Sequence, residues 1–411
     1  MPAAFRSSPD RSLPVVVSLT KYIPYPAVTH AGGEYLLAHY RAQTKIAAVR
    51  AFAPDTPINR DALPRASGEL AARLLSAARP PLRGLFLRVF QLESVWAGSA
   101  IYWPVRMLFR SGRAPWGALS QADVVEFQWS EMIALAPRVR ERLAGARLVG
   151  VAHDIITQRL DRQAAGTRNT IVRGLLRLAA RRSRRRESRD FASLDLLIVF
   201  SEKDAALARE LAATTRVEVV HPGLGPTDPH PRNPDTAEPI VLFTGAMNRT
   251  ENWRSVLWFL EEIWPSVVAR VPSARFVIAG ANPPEVLVAR AAAKPRVELT
   301  GFVESLEPWY ARASVFVVPL VAGAGVKFKT IDAMLRGVPV VTTSVGAEGI
   351  DAHEHFAAVT EDPAKFADAL VGQLLNSDQQ RTQRAQLWAE GTYGSAAFED
   401  RIRELYGDFF G

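Results

Sequence analysis

The chain contains no cysteine. That excludes disulfides, thiolate nucleophiles and cysteine metal sites, and it fits a reducing compartment. No uninterrupted apolar run approaches the roughly 18 residues a membrane-spanning helix needs. The opening stretch, MPAAFRSSPDRSLPVVVSLT, has no apolar core long enough for a signal peptide. A cytoplasmic location is the expectation, with peripheral attachment to the inner face of a membrane left open. A G-x-S-x-G elbow is absent, which removes the Ser/His/Asp hydrolase reading. There is no D-x-D metal motif, no internal repeat and no long low-complexity tract.

What is present is an ordinary globular composition. The 411 residues are 48% hydrophobic and 22% charged, enough for a large core and about two or three domains. The net charge of +8 is uneven. Residues 1–222 hold 33 Lys+Arg against 19 Asp+Glu, a net +14, and the remainder is net −6. The basic half should prefer an anionic partner such as a phospholipid surface or an acidic acceptor. Nucleic acid is not expected, since no recognition motif accompanies the arginines.

Six prolines fall within residues 221–239, which reads as a linker. On either side, short β-branched runs alternate with helical stretches. The strands are expected at 15–19, 46–52, 124–127, 148–152, 196–200 and 217–220, then at 240–243, 275–279, 297–299, 314–318, 338–342 and 357–359. Helices are expected at 202–212 and 252–269, among others. Such alternation implies parallel sheets with helical crossovers. The fold class is therefore α/β, with two doubly wound Rossmann-like domains facing a cleft. The first covers 1–222, a Pro-rich linker 223–239, and the second domain 240–395. A last helix, 396–411, is expected to pack back across the cleft.

The densest signal is PLVAGAGVKFKTID, residues 319–332. It joins a buried apolar run, 314–318, to an amphipathic stretch beginning near Thr330. A Gly-rich loop between the carboxyl end of a strand and the amino end of a helix presents backbone N–H groups to an anion. Gly323, Gly325 and Val326 line such a loop, Lys327 and Lys329 add charge for phosphate, and Asp332 can accept from sugar hydroxyls. Together these suit a nucleotide-sugar diphosphate.

Other constellations point the same way. TGAMNRTEN follows the strand at 240–243. Gly245 permits a tight turn there, and Asn248, Arg249 and Asn252 could reach a diphosphate or a sugar. Gly301 and Val303 follow a further strand, where a small residue would let a flat base approach the backbone. In the first half, His30-Ala31-Gly32-Gly33 opens a helix at 34–41, and His153-Asp154 ends the strand at 148–152. Ser201 to Asp204 has the spacing of a helix cap. Residues 167–189, rich in arginine, and residues 82–113, which mix Phe, Trp, Tyr and Arg, could each lie on an anionic membrane surface.

The order G-x-M-N…N-W-x-S-V-x-W-F, then V-I-A-G, T-G-F-V, S-V-F-V-V-P-L, the Gly-rich loop and G-V-P-V-V-T-T resembles the nucleotide-binding domain of family 4 glycosyltransferases, the retaining enzymes of GT-B fold. The resemblance is strong over about 240–350 and weaker over the first half. It implies that Gly32 and Gly33 let a loop approach the donor phosphate, that His153 faces the donor sugar, and that Asp154 helps position its loop. The family's two loop acids fall on Ala324 and Asp332. Its usual phosphate pair falls on Ala246 and Glu251, so both cations are lost there. Lys327 and Lys329 are inferred to replace them from the opposite loop, as in a family branch with a G-G-G-x-R-x-K type of loop.

The expectation is a metal-independent retaining hexosyltransferase of polysaccharide biosynthesis, with no cofactor. It would move a sugar from a UDP- or GDP-sugar to a hydroxyl of a glycan or lipid-linked acceptor. A nucleotide-sugar epimerase or hydrolase on the same fold, and an inactive sugar-binding scaffold subunit, are the alternatives.

Overall fold

The structure, a computed structural model, describes residues 13–25, 31–66, 70–76, 103–167, 169–225, 231–234, 237–322, 326–350 and 352–410. The chain divides into two compact units. One comprises Met1–Pro222 with Phe398–Gly411, and the other Gly223–Ala397.

The first unit holds a seven-stranded parallel sheet: β1 (Val15–Leu19), β2 (Ala48–Pro54), β3 (Ala71–Leu75), β4 (Val124–Gln128), β5 (Arg147–Val151), β6 (Leu196–Val199) and β7 (Arg216–Val219). Their order is β3-β2-β1-β4-β5-β6-β7. β3, with the sequence AARLL, lies beyond the strands read from sequence. It is an edge strand whose alternate residues stay exposed, so it lacks the continuous apolar run that marks a buried parallel strand.

The second unit holds β8 (Ile240–Thr244), β9 (Arg275–Ala279), β10 (Val297–Gly301), β11 (Ala313–Val318), β12 (Val340–Thr342) and β13 (Ala358–Val359), all parallel. The order is β10-β9-β8-β11-β12-β13. β8 is buried along its whole length because helices cover both faces of the sheet. Phe243, Phe259, Trp264, Phe276, Phe316 and Phe366 interlock in this core, each fully buried and worth about 2–3 kcal/mol of apolar transfer. The helix expected at 252–269 runs as Thr250–Trp258, a π turn over Phe259–Ile263 and Trp264–Arg270. The π turn buries Phe259, Leu260 and Ile263.

Strand order reverses between β1 and β4 in one unit, and between β8 and β11 in the other. At such a switch point the neighbouring loops leave in opposite directions and open a crevice at the carboxyl ends of the strands. Each unit therefore has one place where ligand chemistry is expected, and the residues singled out in the sequence fall around these two places.

The helix Thr170–Phe191 carries the arginines. Its buried Glu187 accepts from the backbone N–H of Ile156 (2.7 Å) and Thr157 (3.0 Å), capping the helix Ile156–Gly166. Ser201 caps the helix Glu202–Leu211 by accepting from Asp204 N–H. The final helix, Ser395–Phe410, packs Phe398, Ile402, Leu405 and Tyr406 into the first unit's core. Of the aromatic segment 82–113, residues 82–102 lie outside the described residues; Trp103–Arg110 is a helix that buries Val105, Leu108 and Phe109.

Candidate functional site

In the second unit, Gly245 ends β8 with φ +154°. Directly beneath it lies Gly280, at the end of β9. A methyl group on Gly280 would sit 1.8 Å from the Gly245 carbonyl oxygen, so only glycine lets the two strand ends approach this closely. A methyl group on Gly245 would meet the Lys329 ammonium at 2.5 Å. The V-I-A-G strand end thus exists to seat the turn that shelters Lys329.

Lys329 lies in the first turn of the helix Phe328–Leu335, which follows the Gly-rich loop after β11. Its Nζ donates to Asn252 Oδ1 at 3.0 Å and sits 4.3 Å from the centroid of the Phe243 ring. The other end of the Asn252 amide donates to the Ala246 carbonyl at 2.8 Å. Both ends of this amide are therefore engaged within the protein, and Asn252 braces Lys329 and the β8 turn. Burial, with Arg249 and Lys327 nearby, pulls the Lys329 ammonium down to about 7 despite Glu251. It is a cation held short of charge at the switch point.

Lys327 is the N-cap of the same helix, and its Nζ lies 3.5 Å from Glu348 Oε2. Arg249 is 70% exposed on the opposite loop, with Glu251 3.9 Å away. Asn248 is also exposed. The loop after β11 is anchored from below: Val321 N–H donates to Ser255 Oγ at 3.2 Å, and Thr343 Oγ1 donates to the Leu320 carbonyl at 2.5 Å. Val326 is half-buried, while Gly323, Ala324 and Gly325 lie outside the described residues.

Asp332 sits one turn further along. Arg336 Nη1 donates to its Oδ1 at 3.0 Å, and Arg336 Nε donates to both oxygens of Glu307 at 3.0 Å. Burial raises the Asp332 carboxyl above its ordinary range, and Arg336 opposes the rise. Arg336 also stacks on the Tyr310 ring, 4.7 Å from its centroid. Gly301 ends β10 with φ +70°, accepts from Gly280 N–H at 3.1 Å, and precedes the half-buried Val303.

In the first unit, Gly32 and Gly33 lie in the first turn of the helix Ala31–Thr44, which begins earlier than the 34–41 expected. His30 lies outside the described residues. His153 follows β5. Its ring stacks on Trp129 at 4.0 Å and meets the edges of Tyr35 and Phe200 at 5.0 and 5.2 Å. Trp129 takes a left-handed backbone, φ 73°, to put its indole there. Asp154 pairs with Arg159, and Ser130 Oγ donates to the Asp154 carbonyl at 2.7 Å. Burial raises the Asp154 carboxyl, against the pull of Arg159.

Residues 238–376 match the glycosyl transferases group 1. The group 1 segment thus contains β8 to β13 and every second-unit residue considered above. A protein of Klebsiella pneumoniae, "Uncharacterized 44.6 kDa protein in cps region", is 28% identical over 144 residues, 33% of this chain. That match spans 37% of the relative's own length. Among solved structures, HepE of Anabaena in complex with UDP and glucose is similar with a TM-score of 0.61 at 13% identity, covering 96% of this chain and 99% of that one. WaaG, a glycosyltransferase involved in lipopolysaccharide biosynthesis, is similar with a TM-score of 0.57 at 14% identity, covering 95% of this chain and 98% of that one. At these identities the likeness is one of fold: two parallel Rossmann-like sheets with flanking helices, matching GT-B glycosyltransferases.

Several residues went unnoticed in the sequence. In the group 1 segment they are Glu348 opposite Lys327 and the Glu307–Arg336 pair behind Asp332; Gly280 stands in the sequence reading only as the last residue of V-I-A-G, without its part in admitting the β8 turn. In the first unit they are Glu126 and Gln128. Glu126 left a trace: it is a carboxylate inside the apolar strand VVEFQ, buried on both sides.

Proposed function

We propose that this chain is a retaining glycosyltransferase of family 4 type. It would move a hexose from a nucleotide diphosphate sugar to a hydroxyl of a glycan or lipid-linked acceptor, without a metal ion. The observation that carries this reading is Lys329. A desolvated ammonium beneath the switch-point turn of a group 1 segment, with Lys327 and Arg249 near enough to depress it, suits a site completed by a diphosphate. As the sugar–phosphate bond breaks, negative charge accumulates on the leaving diphosphate, and fixed cations stabilise it there.

In this reading Lys327, Lys329, Arg249, Gly245, Asn248 and the loop of Gly323, Gly325 and Val326 receive the diphosphate. Asp332 takes the ribose, and Gly301 and Val303 the base. Asn252 acts by bracing Lys329. Gly32 and Gly33 let their loop approach the donor phosphate, and His153, with Asp154 holding its loop, serves the donor sugar. Ala324 leaves no carboxylate at the family position near the sugar. The acceptor hydroxyl would therefore attack on the face the leaving group departs from, with the departing phosphate as base. HepE was solved with UDP and glucose, so a UDP-sugar is the donor to try first. Placement in polysaccharide biosynthesis is supported by WaaG and by the relative from a cps region.

Turnover of UDP-sugars in the presence of glycan or lipid acceptors tests the reading, in parallel with EDTA. Transfer that survives chelation with retained anomeric configuration is the expected result. Sugar release or epimerisation without acceptor would replace it with the epimerase or hydrolase alternative. Absence of turnover with unaltered nucleotide binding would favour the scaffold.

We also propose that the first unit docks on an anionic membrane through the helix Thr170–Phe191. Ile171, Leu175 and Leu178 are exposed at helical spacing, and Ile171 is 74% exposed, beside a dense run of arginines. Among the described residues no helix is long and apolar enough to cross a membrane. Such a surface would bring the enzyme to a lipid-linked acceptor on the cytoplasmic side.

A further inference from the structure

The first unit's switch point holds a buried carboxylate with no role so far. Glu126 on β4 lies directly opposite Ser18 on β1 and is fully buried. Five side chains converge on it. Its Oε1 accepts from Ser18 Oγ at 2.8 Å and Gln128 Nε2 at 2.9 Å. Its Oε2 accepts from His39 Nε2 at 2.8 Å, Gln43 Nε2 at 2.6 Å and the Tyr406 hydroxyl. Burial alone would push this carboxyl up; His39, with the hydrogen bonds of Tyr406 and Gln128, outweighs it and brings it to about 2. An apolar residue would fill this position at lower cost, so an ionised carboxylate here calls for a reason.

The reason lies one step along the strand. An ionised carboxylate only accepts hydrogen bonds. The Gln128 atom facing Glu126 must therefore be its NH2 group. That turns the Gln128 carbonyl oxygen to His153, whose Nε2 lies 3.1 Å away. An amide oxygen also only accepts. The proton of His153 must then sit on Nε2, and in the neutral ring the lone pair sits on Nδ1. Trp129, Tyr35 and Phe200 hold the ring plane, so the relay determines which nitrogen does what.

We propose that Glu126 is a positioning residue that acts through Gln128 to hold His153 in the Nε2–H tautomer. The proposal rests on the reading of His153 as a donor-sugar residue, and it extends that reading by assigning its proton. Tyr406, from the final helix, belongs to the same relay. The final helix thereby reaches the histidine's tautomer as well as the core.

The test is 15N NMR of the full-length protein labelled at histidine. The ring signals of His153 are assigned by their loss in His153→Ala among the seven histidines. Wild type should show a protonated Nε2 and an unprotonated Nδ1 at pH about 8. Gln128→Leu, which removes the acceptor while keeping the bulk, should give a mixture of tautomers. Its kcat should fall about 10–100-fold with KM little changed, as for lost outer partners of other functional histidines. The exchanged pair Glu126→Gln with Gln128→Glu keeps an acceptor toward His153 and a donor behind it. It should restore the Nε2–H signature and recover activity over Gln128→Leu, which a merely structural role would not do. If the exchanged pair fails to fold, Gln128→Leu carries the comparison. An Nδ1–H ring in wild type, or a signature unchanged by Gln128→Leu, overturns the relay. An Nε2–H ring in a protein that turns over no nucleotide sugar upholds the relay and overturns the proposed function instead.

Discussion

The ammonium of Lys329 is hydrogen-bonded to Asn252 Oδ1 at 3.0 Å. Asn252 comes from the helix after β8 and Lys329 from the helix after β11, so the contact spans the crevice where strand order reverses. The pair closes this crevice from below and leaves a poorly solvated floor. The face of the Phe243 ring gives the ammonium further support.

A lysine held at about 7 makes nucleotide binding depend on pH. In the free chain Lys329 is mostly neutral above pH 7. A bound diphosphate raises its pKa, so binding takes up a proton. Affinity for a UDP-sugar should therefore fall as pH rises above 7, by at most about tenfold per unit. Calorimetry at pH about 8 in two buffers of different ionisation enthalpy should register uptake approaching one proton. Lys329→Met should abolish the uptake.

The same substitution should stabilise the empty protein. A group whose folded pKa lies below its unfolded value opposes folding at any pH where the unfolded chain carries the charge. For Lys329 that penalty is complete below pH 7, falls steadily as pH rises above 7 and is gone by its ordinary value of 10.5. Thermal unfolding of Lys329→Met at neutral pH should show a gain of about 1 kcal/mol, with nucleotide affinity lost. A loss of stability would show that Asn252 and Phe243 compensate the buried charge fully.

Gly280→Ala places a methyl group 1.8 Å from the Gly245 carbonyl oxygen. The β8 turn must move, and Lys329 with it. We expect a loss of about 2–4 kcal/mol in stability and no measurable UDP binding. Gly301→Ala provides the contrast: its added methyl meets nothing within 4 Å, although φ +70° still imposes a strain of about 1 kcal/mol. Equal effects in the two variants would rule out close approach as the reason for Gly280.

Arg336 joins Asp332 to Glu307 in a half-buried network. Burial would lower this guanidinium, but the two carboxylates outweigh it and raise it. Arg336→Met leaves two acids without their cation and should cost about 3 kcal/mol in urea unfolding. If Asp332 takes the ribose, the variant should also raise the KM for donor.

Leu175→Glu with Leu178→Glu places acids on the exposed apolar stripe without touching the buried Ala179, Ala180 or Glu187. Flotation with anionic vesicles should fall sharply, and circular dichroism should be unchanged. Wild type that fails to float at low salt would end the membrane proposal.

The alternation of apolar runs and helices was sufficient to read two parallel α/β sheets, because strands buried on both faces leave a local, continuous signal. The central strands carry it, and twelve of the thirteen strands among the described residues were read from the sequence; the edge strand β3, with alternate residues exposed, was not. The Gly-rich loop and its lysines were legible for the same reason: the anion-binding chemistry is written in contiguous residues. What only the tertiary structure decided is pairing between distant segments. That Asn252 braces Lys329, 77 positions away, follows from strand order. That Gly280 must be glycine follows from the approach of two strand ends. That Glu126 meets Tyr406 follows from packing a final helix against β4, 280 residues earlier, and that Gln128 meets His153 follows from pairing β4 with β5. Local sequence sets the period of burial and the supply of charges. Which buried charge meets which donor depends on loop closures over hundreds of residues, and no local pattern encodes that.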